Sequence, residues 1–89
     1  MAQTVINITI QPSDGSNRYH LKHTCDGYLP LHPGATVVIN KLTGECDHVK
    51  SLTYDATTRI LSIRLGNQYP KNEEEAKVLV SELRESNWL

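Results

Sequence analysis

The residues best equipped for chemistry in this 89-residue chain are four histidines and two cysteines. His23-Thr24-Cys25 and Cys46-Asp47-His48 each set two metal-capable groups at i and i+2. On a β-strand that spacing places both groups on one side. Facing each other, the pairs would make a Cys2His2 tetrahedron for zinc. Structural zinc sites, however, usually leave about two to four residues inside the first pair, commonly at a turn. A packing role for Cys25, which follows Tyr19 and Leu21 along one strand face, is the simpler reading. His20 and His48 then belong to the surface, His32 to a loop, and no metal or other cofactor is expected.

Cys46 and His48 also offer a thiol beside a base, the start of a nucleophilic site. Asp47, the group that would orient the base, points to the opposite side of a strand. A 10.0 kDa chain with one helix leaves little space for a substrate cavity. There is no glycine-rich phosphate loop and no paired-carboxylate motif. The chain therefore reads as a non-enzyme.

Bridged, Cys25 and Cys46 would close a loop of about 20 residues, worth roughly 3 kcal/mol. Small secreted domains usually carry more than one such bridge. MAQTVINITI lacks the basic start and apolar block of an export signal, so reduced thiols and a cytoplasmic location are expected. Asn7-Ile8-Thr9 matches a glycosylation sequon but falls inside a predicted strand, and is set aside.

The elements that must position these groups follow from two periodicities. Residues 1–66 alternate with period two and are rich in Thr, Val and Ile; residues 70–87 turn to Glu, Ala, Leu and Lys at helical spacing. Strands are predicted at about Thr4–Gln11, Arg18–Cys25, Thr36–Lys41, Glu45–Asp55 and Arg59–Leu65. In the first, Ile6, Ile8 and Ile10 share a face. Pro12 to Asn17 is a run of turn formers, and His32-Pro33-Gly34-Ala35 suits a type II turn. Leu42-Thr43-Gly44 reads as a three-residue hairpin loop with Gly44 left-handed, placing Asn40 opposite Cys46 and Val38 opposite His48. Within the fourth strand Val49 is odd while Leu52 and Tyr54 are even, a conflict that a β-bulge near Lys50–Ser51 resolves.

A helix is predicted over about 71–86. Asn72 precedes Glu73, Glu74 and Glu75, which favour the positive helix end, and Ala76, Leu79, Val80 and Leu83 form one apolar stripe. The expected architecture is a single α+β domain over residues 1–89: an antiparallel β-meander of four to five strands with one C-terminal α-helix packed on one face. Antiparallel pairing is favoured because the connections are too short for parallel crossovers.

With chemistry set aside, binding remains. Trp88 and Leu89 are an aromatic anchor after the helix, and Tyr28-Leu29-Pro30-Leu31-His32-Pro33 is an apolar, proline-stiffened loop. Trp88, Leu89, Tyr28 and Leu31 are the candidate contacts for another protein, and a C2 homodimer is the simplest such partnership. The alternative is a sheet that binds single-stranded nucleic acid. Arg18, Lys22, Lys50 and Arg64 would meet its backbone, with Tyr19, Tyr28 or Tyr54 stacking on bases. A net charge of −1 weighs against that alternative. No apolar run reaches the roughly 20 residues of a membrane span. A small domain without catalytic apparatus suits an accessory or inhibitory factor of a bacterium or phage.

Overall fold

The computed structural model describes residues 2–89. Among these residues five strands, β1 (Gln3–Ile10), β2 (Tyr19–Asp26), β3 (Thr36–Asn40), β4 (Glu45–Asp55) and β5 (Ile60–Leu65), precede one helix, α1 (Glu73–Glu85). They form one sheet in the order β2-β1-β5-β4-β3. The fold is α+β, but the sheet is mixed and is no meander. β1 runs parallel to β5, with Ile6 opposite Ile63, while every other neighbouring pair is antiparallel. Short connections forbid parallel pairing only between consecutive strands. β1 and β5 have three strands between them in the chain, so that constraint never applied to them.

The central position of β1 follows from its alternation. Thr4, Ile6, Ile8 and Ile10 are buried on one face, and this strand meets β2 on one side and β5 on the other. Across the sheet the same face carries Leu21, Ile63, Leu65 and Val49. The parity conflict in β4 is settled by a register shift between Val49 and Ser51, which leaves Val49, Leu52 and Tyr54 opposite Leu65, Ile63 and Leu61. The β3–β4 hairpin differs from expectation by one position at Asn40 and by two at Val38. Val38 faces Cys46 and Asn40 faces Glu45 around a four-residue turn, with a second irregularity between Val38 and Asn40. Gly44 is left-handed as expected, at φ 73°, and its N–H donates to Asn40 O.

Two covers close the apolar face. α1 buries Ala76, Val80 and Leu83 against it. Asn72 caps the helix by accepting from Glu75 N–H at 2.9 Å, ahead of three acidic residues in the first turn. The second cover is the segment between β2 and β3, which lies in sequence between the two edge strands. Its Leu29 and Leu31 pack against the core. Thr4, fully buried, pins that segment: its hydroxyl donates to Gly27 O at 2.7 Å and accepts from Leu29 N–H at 3.1 Å.

The helix ends in a left-handed turn. Asn87 has φ 70°, its N–H donates to Arg84 O, and Trp88 N–H reaches back to Leu83 O. This pair of bonds is the Schellman arrangement, whose apolar contact is supplied by buried Leu83 and Trp88. The two residues after the turn then join opposite edges of the sheet. Leu89 exchanges two backbone bonds with Lys22 in β2, and the Trp88 indole N–H donates to Ile39 O in β3 at 2.8 Å. The sheet thus curves around the end of the helix. Beside this clasp, buried Asn40 donates to Glu82 Oε1, and Ser86 Oγ accepts from Lys41 N–H. Among the described residues no helix is long and apolar enough to cross a membrane.

Candidate interaction site

The sheet separates the groups with the side chains for chemistry. His23 and Cys25 lie on the covered face, in register with Ile6 and Thr4. Cys46 and His48 lie on the uncovered face, opposite Val38 and Thr36. Two strands stand between β2 and β4, so the pairs cannot share an ion. Nor do Cys46 and His48 engage each other. The Cys46 thiol points to Gly44 O at 3.3 Å, and His48 Nδ1 meets Thr36 Oγ1 at 3.2 Å. Both cysteines are free thiols, Cys25 half-buried and Cys46 exposed. His23 helps to hold the C-terminal turn. Its Nδ1 lies 3.2 Å from Asn87 O and must donate, and its ring sits 5.7 Å from that of Trp88.

The proposed contacts for a protein partner fall in different places. Trp88 is 3 % exposed and its one polar donor is bound to Ile39, so the indole is part of the core rather than a free anchor. Leu31 is half-buried against the core. Leu89 projects its side chain to solvent at 85 % exposure, although its backbone is paired with β2. Tyr28 remains at the surface and gains a companion. The phenols of Tyr28 and Tyr54 meet oxygen to oxygen at 2.9 Å, and the rings stand edge to face with centroids 5.5 Å apart. The shared hydrogen bond, then partial desolvation, then the neighbouring phenolate charge hold the Tyr28 hydroxyl above its ordinary value of 10.0. Both rings are about half exposed, at 48 % and 52 %. The register makes the reason plain: Tyr54 shares a row with Leu61, Thr4 and Cys25, and Thr4 anchors the segment that carries Tyr28.

The cations proposed for nucleic acid are partly gathered. Lys22 and Arg64 face the uncovered side in one row, with Asn7 between them, and Arg18 lies just before β2. Lys50 sits in the β4 bulge, where its stem and the Asp47 carboxylate flank Gly66. The tyrosines are not with them. Tyr19 and Tyr54 belong to the covered face, and Tyr28 stands beside Tyr54. The uncovered face is instead lined by Thr, Ser, Asn and His, among them Thr9, whose Oγ1 meets His20 Nδ1.

A groove of about 580 Å3 runs between β2 and α1, lined by Tyr19, Lys77, Val80, Ser81, Arg84 and Glu85. It was not foreseen in the sequence, though Lys77 and Arg84, seven apart, fall on the same side of a helix and could have signalled it. Among the described residues no group of three or more His, Cys, Asp or Glu side chains is placed to hold a metal ion. Comparison with protein families, with curated proteins and with solved structures finds no match to this chain.

Proposed function

We propose that the protein is a non-catalytic binding protein acting in the cytoplasm through contact with another protein, in an accessory or inhibitory role. The Tyr28–Tyr54 pair carries this reading. Two half-exposed aromatic rings, fixed by a mutual hydrogen bond, one of them on a segment whose Leu29 and Leu31 pack against the core, form a contact that loses little side-chain entropy on binding. Tyrosine is enriched at interface hot spots for that reason. Pro30 and Pro33 stiffen the same segment.

The nucleic-acid alternative retains the Lys22–Arg64 row, but stacking requires aromatic rings on the same face as the cations. Those rings lie elsewhere, which favours the protein partner. One experiment separates the readings: affinity capture from host lysate with the wild type and with Tyr28→Ser/Tyr54→Ser, each with and without nuclease. A protein captured by the wild type, lost with the variant and indifferent to nuclease supports the reading. Capture abolished by nuclease, or unchanged in the variant, overturns it. Light scattering of the purified chain tests whether the partner is a second copy.

A further inference from the structure

The outer edge of β2 is only partly used. Lys22 faces Asn7 across the ladder, yet its N–H and C=O bond Leu89, away from β1. Backbone orientation repeats every second residue of a strand, so His20 also turns its N–H and C=O outward. Among the described residues no backbone group meets them. His20 follows Tyr19, and Tyr19 lines the groove along α1. An unsatisfied strand edge therefore opens onto a cleft. That the edge accepts strand pairing is shown by Leu89, which forms both bonds of an antiparallel pair there.

The cleft has a sign. Lys77 and Arg84 line it, seven positions apart and thus about 10 Å along the helix. Arg18 precedes Tyr19 in the chain. The acidic lining residue is Glu85, at the helix end nearest Leu89. Val80 and the Tyr19 ring give the floor an apolar part. An extended chain laid along His20 would direct alternate side chains into the cleft. Carboxylates two residues apart on such a chain are separated by about 7 Å, within reach of the long Lys77 and Arg84 side chains.

We infer that this cleft takes an extended acidic segment of a protein partner, added as an antiparallel strand to the β2 edge. The inference rests on the protein-binding reading and names the chemistry of the partner. Main-chain bonds at His20 supply the pairing, and Lys77 and Arg84 select carboxylates. A second copy of the chain does not supply the segment, because its one acidic run, Glu73–Glu75, is helical.

The test is an NMR titration of the whole protein with a capped peptide of alternating Glu and Val. The controls are its Lys-Val counterpart and a version N-methylated on alternate residues. Saturable amide shifts centred on Tyr19, His20, Lys77 and Arg84 are expected, with loss of binding on N-methylation. Lys77→Glu/Arg84→Glu, on exposed positions, weakens binding about tenfold or more while leaving amide positions distant from the cleft unchanged. The inference is overturned by absence of saturable shifts, by equal binding of the Lys-Val peptide, or by an unaffected double variant. Its failure leaves capture through Tyr28 and Tyr54 untouched, and failure of that capture leaves the titration untouched.

Discussion

Removing the Trp88 ring tests the clasp that joins the two edges of the sheet. The side chain is 3 % exposed, and truncating a buried tryptophan to alanine costs about 3–5 kcal/mol. A domain of this length has a total stability on the order of 4–13 kcal/mol, so Trp88→Ala removes a large part of it. Trp88→Phe keeps most of the apolar volume but strips Ile39 O of its donor, at a cost of about 1–3 kcal/mol. With a urea slope of about 1–1.5 kcal/mol/M, the midpoint falls by roughly 2–5 M for alanine and about 0.7–3 M for phenylalanine. Far-UV circular dichroism is the assay, since the variants lack the only tryptophan. Leu89→Ala is the control: its side chain is exposed and its backbone bonds survive, so a change within about 0.5 kcal/mol is expected. A loss below about 1 kcal/mol for Trp88→Ala would refute the clasp as a structural element.

Three further outcomes follow from the same contacts. Thr4→Val leaves Leu29 N–H and Gly27 O without their shared hydroxyl, so a destabilisation of about 1–3 kcal/mol and faster amide exchange at Leu29 are expected. Tyr54→Phe removes the bond that raises the Tyr28 hydroxyl, and an ultraviolet phenol titration should show it returning toward 10.0. Because the folded state holds that proton more tightly, this contribution to stability is present below pH 10.0 and disappears as pH rises through the raised value. Asp55 behaves oppositely: bonds from the Thr57 hydroxyl, Thr57 N–H and Thr58 N–H hold its carboxyl below 3.8. Its contribution is complete above 3.8 and is lost as pH falls through the lowered value, which carboxyl 13C titration measures directly.

Local signals were legible because they are local. Strand β4 follows the expected bounds, its bulge was readable from the parity of Val49, Leu52 and Tyr54, and α1 sits within the predicted span. The pairing of β1 with β5 was not legible, since no local pattern states which distant strand a two-sided neighbour will choose. Antiparallel order was inferred from loop lengths, which speak only of consecutive elements. The β3–β4 register slipped by one because the turn takes four residues rather than three, and by one more at the irregularity between Val38 and Asn40, which has no composition cue. At the surface, Tyr28 was identifiable from its proline-bounded loop. Its companion Tyr54 and the cleft beside Tyr19 required tertiary proximity. Trp88 was read as an anchor for a partner from its size and its place after the helix; the left-handed Asn87 turns it into the chain's own core.

The parallel β1–β5 joint bears on how the chain reaches its native form. β1 with β2, and β3 with β4 and β5, are neighbours in sequence and can assemble early as hairpins. The joint cannot, because its two strands lie near opposite ends of the sheet-forming region and closing that distance costs chain entropy first. The encounter of two half-sheets is therefore the expected kinetic bottleneck. Until it happens, one edge of each half is unguarded, and that is when the protein is most exposed to misassembly.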